Sequence, residues 1–197
     1  MKNKEDYTTK QAILNAALDL MKDEGIKRVT IRKIAKIAGV NVALINYYFG
    51  SKENLISEAI QSLLTSLKDT FTIFDDPSLT STEQIKGFLL QYARIFQQYP
   101  FIAHMVMQEN PLIFKSQMEY FNFLNAIGMK KFKNAISEAS GEKDPKRLTI
   151  MMSHLIGATL LPNLIDPIYE YVTGYPFSNN IETQVDILIQ QYFSKSC

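Results

Sequence analysis

Apolar residues recur at helical spacing along nearly the whole chain. Ile13, Ala16, Ala17, Leu20 and Met21 follow the three, four and seven spacing of an amphipathic helix. Thr8 or Thr9 can cap it and Gly25 stops it, which predicts a first helix over about Lys10 to Glu24. Thr30 opens a short second helix with Ile31, Ile34, Ala35 and Ala38 on one face. Gly39 ends it, because a residue without Cβ enters the left-handed conformation at little cost. Asn41 caps a third helix reaching about Phe49, anchored by Val40, Ile45 and Phe49. After the break at Gly50, Ser51 caps a long fourth one, SKENLISEAIQSLLTSLKDTF, with Leu55, Ile56, Ile60, Leu63 and Leu67 inward. Its third position is Asn54, so the capping box is incomplete.

Beyond Asp75-Asp76-Pro77-Ser78 the pattern turns to longer apolar helices. Ser81 with Gln84 has capping-box spacing and opens a helix to about Gln98; Pro100 begins a short one, PFIAHMVMQE. Asn110-Pro111 starts a helix reaching Ala139, with Gly141 beyond its end. Asp144-Pro145 repeats that signal for a helix to about Leu161, and Asn179 with Glu182 opens a last one to Ser194. No strand pattern and no internal repeat competes. The prediction is an all-α chain in two parts, residues 1–67 with a helix-turn-helix at about 30–49, and residues 68–197.

Charge sharpens that division. The chain of 197 residues carries a net +1, yet residues 1–58 hold ten Lys/Arg against seven Asp/Glu, and the remainder holds eleven against thirteen. Between Ile26 and Lys52 stand Lys27, Arg28, Arg32, Lys33, Lys36 and Lys52, with no Asp or Glu. A local excess of cations is what attraction to a phosphate backbone requires. No apolar run nears the roughly 18 to 20 residues of a membrane span, and the start MKNKEDYTTK lacks the apolar centre of a signal peptide, so a cytoplasmic protein without a membrane partner is expected. Cys197 is the one cysteine, which excludes an internal disulfide. His104 and His154 fall on different predicted helices, outside any zinc spacing. There is no glycine-rich phosphate loop, nucleophile elbow or paired-carboxylate motif; neither an enzyme nor a cofactor is expected.

A helix that enters the major groove needs a slim front and phosphate-gripping groups beside it. Asn41, Val42, Ala43 and Asn46 supply such a front. Tyr47 and Tyr48 offer hydroxyls, Lys52 lies just past the helix, and Arg32 and Lys33 flank from the second helix. Each has a plainer use: Val42 and Leu44 as packing within a three-helix unit, Tyr48 as a half-buried core ring, the lysines as a solvated face.

These spacings resemble the TetR family of transcriptional regulators. The likeness is carried by Gly25, Thr30, Ile34-Ala35, Gly39-Val40 and the run Tyr47-Tyr48-Phe49-Gly50-Ser51-Lys52-Glu53-Asn54-Leu55, and covers about residues 9–60. The resemblance implies a dimeric repressor whose third helix enters the major groove of operator DNA. It implies contacts from Thr30 and Arg32 on the second helix, a base-facing side at Asn41, Val42, Ala43, Leu44 and Asn46, and a phosphate grip from Tyr47, Tyr48 and Lys52. Asn46 stands where the family often has tyrosine, and Val42-Ala43-Leu44 is wholly apolar. Base reading is therefore expected to lean on Asn46, Arg32, thymine methyl groups and DNA shape.

Six of the eight methionines lie after residue 100. With Phe88, Tyr92, Phe96 and Phe101, then His104, Met105 and Gln108, then Phe114, Met118 and Phe121, they suit a pocket for a small, largely apolar effector, although most must also be core. Leu148, Met151, Met152, Leu155 and Thr159 make one stripe, and Val185, Leu188 and Tyr192 fall on another. The resemblance implies that these two helices pair with their copies in a homodimer; an intrachain core accounts for the same stripes. The rival function is a dimeric helical module that binds a small molecule or protein without DNA.

Overall fold

The computed structural model describes residues 2–102, 122, 128–176 and 180–193, all of it helix, turn or loop. The chain divides into two compact units, the first holding described residues up to Ser66 and the second beginning at Leu67.

In the first unit, α1 spans Lys2–Glu24, α2 Ile31–Ala38, α3 Val42–Phe49, and most of α4, Lys52–Asp69. α1 starts well before the expected Lys10, running through both threonines. Lys and Glu are good helix formers, and they continue the helix where a hydroxyl cap was expected to begin it. A single 3-10 turn, Ile26–Arg28, links α1 to α2. Ile13, Ala17, Val29, Ile34, Ile45, Leu55, Ala59 and Ile60 have no exposed surface and form the core of this unit, with α1 packed on α2 and α2 on α3. The Lys10 ammonium bonds Glu58 of α4 at 2.7 Å and sits 5.3 Å from the centre of the Phe49 ring, tying α1 to both neighbours.

α4 closes two residues before the expected Phe71, and a 3-10 turn over Thr70–Asp75 follows. Thr70 and Thr72 each donate a hydroxyl to the carbonyl three residues back, at 2.7 Å, and so draw the last turn tight. The next helix, α5 over Ser81–Gln98, is capped one residue earlier than expected. Thr80 Oγ1 accepts from the Glu83 amide while the Glu83 carboxylate accepts from the Thr80 amide at 2.8 Å, a complete capping box. These bonds hold the Glu83 carboxyl below the ordinary glutamate range.

The expected helix from Pro111 to Ala139 is broken at Gly128, whose φ of 99° no helix accommodates; α6 runs Met129–Ser140 from there. The Asn110-Pro111 start lies outside the described residues, as do Asn179 and Ser194. α7 is Pro145–Leu164, with Asp144 accepting from the Lys146 amide at 2.8 Å. A short helix α8, Asp166–Thr173, was not expected, although Asp166-Pro167 repeats the acid-proline start. α9 is Ile181–Phe193.

Aromatic rings dominate the core of this second unit. Phe88 has no exposed surface and lies 4.6 Å from Phe71, 5.3 Å from Phe74 and 4.8 Å from Phe132, centre to centre. Two groups of candidate residues fall here. Phe88 and Phe96 are buried in the core, and Tyr92 and Phe101 are half-exposed; His104, Met105, Gln108, Phe114, Met118 and Phe121 lie outside the described residues. On α7 and α9, Leu148, Leu155, Thr159, Val185 and Leu188 are buried within the same chain, and Met151, Met152 and Tyr192 pack partly against that core. Both stripes are the ones turned inward because α5 and α6 need an apolar cover.

Gly128 and Gly141 both carry positive φ, but a Cβ at Gly128 would also lie 2.9 Å from Cβ of Phe71, whereas one at Gly141 meets nothing within 4 Å. Gly141→Ala should cost about 1 kcal/mol from backbone strain, and Gly128→Ala about 2–3 kcal/mol. Urea unfolding of both variants checks the order; equal losses would overturn the role of the Phe71 contact.

Candidate nucleic-acid interface

Two side-chain caps and one turn set the geometry of the interface. Thr30 Oγ1 accepts from the Lys33 amide at 3.3 Å, starting α2; Asn41 Oδ1 accepts from the Leu44 amide at 2.7 Å, starting α3. Gly39, at φ 67°, ends α2 and passes its neighbour's amide back, Val40 N donating to Ala35 O at 3.0 Å. Ala35, small and buried, lies on the inward side of α2, which packs on α3. Neither helix has an acid in its first turn, so the partial positive charge of each N-terminus is left uncancelled.

α3 is divided cleanly by helix geometry. Ile45 and Phe49, one turn apart, are buried; Ala43 and Tyr47 occupy the opposite side with Asn46 beside them, and Val42, on the stripe of Ile45 and Phe49, is exposed where the helix begins. Val42 is 38% exposed and Tyr47 79%, so Val42 is not part of the interior. Leu44 and Tyr48 lie half-buried along one flank, with Tyr48 edge-on to Tyr47 at 5.4 Å. Asn41 is exposed, but its carbonyl oxygen already serves the cap. What it can offer a base is its NH2 group.

Thr30, Arg32 and Lys33 are exposed, and Lys52 is half-exposed at the start of α4. Two features escaped the sequence reading. Lys33 forms an ion pair with Glu24, the last residue of α1, which places one carboxylate against the otherwise acid-free stretch. The pairing spans two helices and nine positions, and no spacing rule announces it. Ile37 is 54% exposed on α2; it lies off the face made by Ile31, Ile34, Ala35 and Ala38, a displacement that the helical period does reveal.

The surface that results is a slim front of methyl, amide and phenol groups, bordered by cations. Hydroxyls and lysine or arginine heads bind phosphate oxygens, Asn46 has the donor-acceptor pair that suits an adenine edge, and the methyls of Val42 and Ala43 suit thymine. No group of three His, Cys, Asp or Glu able to hold a metal occurs among the described residues, and no helix among them is long and apolar enough to cross a membrane.

The family model of bacterial regulatory proteins of the TetR family matches residues 13–59, from the middle of α1 into α4. The HTH-type transcriptional regulator BetI of Rhizobium meliloti (strain 1021) is 38% identical over 80 residues, covering 41% of this chain and 39% of that protein. The chain thus spans well under half the length of that relative. The probable HTH-type transcriptional regulator YttP of Bacillus subtilis (strain 168) is 29% identical over 158 residues, 76% of this chain and 72% of that protein. Among solved structures, a mutant HlyIIR protein with one segment replaced by a linker covers 97% of this chain and 98% of its own, with a TM-score of 0.67 at 18% identity, a likeness of fold. The caps, the glycine turn and the exposed side of α3 all lie inside the matched span, so residues 13–59 carry the N-terminal domain described by the TetR-family model.

Proposed function

We propose that this chain is a ligand-responsive transcriptional repressor that binds a near-palindromic operator as a homodimer and is released by a small, largely apolar effector. The observation that carries the DNA-binding part is the exposed side of α3, with Ala43, Asn46 and Tyr47 outward and Val42 accessible at the first turn, beside exposed cations. Asn46, Arg32 and the Val42-Ala43 methyls read bases; Thr30, Tyr47, Tyr48 and Lys52 hold phosphate, with Leu44 packing along the groove wall. The effector reading draws on the family likeness and on the aromatic and methionine content beyond residue 87. Dimer contacts fall to the faces of α7 and α9 that their own core leaves open, where Ile150 is 52%, Leu161 53% and Ile187 50% exposed. Two α3 helices then meet the major groove about one DNA turn apart.

Mobility shift with the DNA upstream of the chain's own gene, repeated over a salt series, tests the whole reading. Tight binding of one fragment, weakening steeply with salt, is expected; no tight fragment and no salt dependence would sink it. Within that assay, Tyr47→Ala and Lys52→Ala should weaken binding to all sequences alike, with Lys52→Ala lowering the salt slope by about 1. Asn46→Ala should instead relax preference at one base pair, by about 1–3 kcal/mol. Equal loss of specificity from all three would show the division of roles to be wrong.

Lys33 is expected to contribute little while Glu24 neutralises it. Glu24→Gln should tighten binding to random DNA several-fold, and Lys33→Met should remove that gain while changing the wild type little. A Lys33→Met variant that weakens the wild type as strongly as the Glu24→Gln background would show that phosphate already displaces Glu24.

Linkage supplies the test of the switch. An effector that releases operator must bind the free protein more tightly than the bound one by the same factor. Equal effector affinity with and without operator, by titration calorimetry, would exclude the mechanism.

A further inference from the structure

α8 turns nearly all of its apolar side chains to solvent. Ile168 is 63% exposed, Tyr171 91% and Val172 73%, and Tyr175 just past the helix is 75%. Single apolar residues on a surface are ordinary; four within eight positions are a patch. So short a helix is marginal in water by itself, which makes a covering surface more telling still. We propose that α8 packs across a second copy of this chain, over the N-terminal end of the partner's α7. It would thereby extend the homodimer interface proposed above, on which this inference rests.

Symmetry and charge identify that position. In a twofold dimer every contact occurs twice, residue i touching j and j touching i. On α7 the exposed Ile150 and Leu161 stand on either side of Ser153 and Gly157, both exposed, and nothing lies within 4 Å of where a Gly157 Cβ would be. Antiparallel pairing of α7 with its copy about that small-residue stretch brings Ile150 beside the partner subunit's Leu161, and the reverse. The start of one α7 then faces the end of the other, and with it α8. Those ends are opposite in charge. Lys143 and Lys146 are exposed at the start of α7, while α8 holds Asp166 and Glu170 and neither Lys nor Arg. The same acidity makes α8 a poor match for anionic lipid, which in-plane helices meet with basic residues.

Area supports the pairing. Ile150, Leu161 and Ile187 together present only about 300 Å² of side chain, whereas Ile168, Tyr171, Val172 and Tyr175 add roughly 700 Å². A standard stable interface takes about 800 Å² from each partner, polar and apolar together, and α8 with Tyr175 can supply a large share of it.

Sedimentation equilibrium of the full chain measures the dimer constant directly. Tyr171→Ser with Val172→Ser should weaken the dimer at least about tenfold with the circular dichroism spectrum unchanged, since both residues are exposed. Glu170→Lys should weaken it several-fold, and adding Lys146→Glu should restore it, because each copy then carries the reversed pair. Gly157→Arg tests the dimer reading itself and should yield monomer. An unchanged dimer constant in the serine variant, with Gly157→Arg monomeric, overturns the role of α8 while leaving the dimer intact. Failure of Lys146→Glu to rescue Glu170→Lys overturns the placement over α7. A wild type that stays monomeric at every concentration rejects the dimer and the inference with it, and loss of phosphatidylglycerol vesicle binding in the serine variant without loss of dimer assigns the patch to a membrane instead.

Discussion

Everything the DNA-facing surface offers depends on the burial of Ile45 and Phe49, one turn apart on α3. Burying such side chains is worth about 1.5–3 kcal/mol each, far more than any choice among exposed rotamers. Once they face inward, the helical period leaves Ala43, Asn46 and Tyr47 outside, and Val42 stays accessible because it is the first residue of the helix. The Lys10 ammonium, bonded to Glu58 and stacked over Phe49, holds the back of that helix in place. The outward residues are therefore positioned by the inward ones, and the chemistry of the face can vary without disturbing the scaffold.

The second unit answers to a different constraint. Phe71, Phe74, Phe88 and Phe132 form one cluster of rings, and α7 and α9 must cover it with Leu148, Leu155, Val185 and Leu188. That requirement turns the strongest stripes of both helices inward. Their outer faces keep small and scattered apolar residues, with Gly157 at the centre, and most of the exposed apolar surface of this end collects on α8 and Tyr175. Ion pairs of Arg94 with Glu182, at 3.0 Å, and of Lys86 with Asp186 fasten α5 to α9 at the rim; as exposed pairs they orient more than they stabilise.

Charge shows the same separation of local and distant causes. A net +1 over the whole chain hides a stretch of six cations without an acid, and that stretch is visible to anyone reading positions 26–52. Folding then brings Glu24 against Lys33, so the field at the interface differs from the linear count by one charge. Coulomb interactions act over ångströms in space, and a carboxylate nine positions away is close only once α1 and α2 have packed.

The sequence by itself determined the local events: the caps at Thr30, Asn41, Ser51 and Asp144, the turn at Gly39, and the helical period that makes the chain all-α. These are decided by groups within four positions of one another, which is why they can be read without a structure. The outward placement of Asn46 and Tyr47 was legible too, because Ile45 and Phe49 leave α3 a single inward face. Tertiary structure decided what local rules leave open. Several apolar positions on α7 and α9 could have met either a core or a partner, and only the arrival of α5 and α6 chose. Gly128, at φ 99°, interrupts a helix that periodicity would continue, and a Cβ there would meet Phe71, 57 positions away. Thr80 rather than Ser81 caps α5, a choice between adjacent hydroxyls settled as Ser81 instead bonds Glu138, 57 positions away.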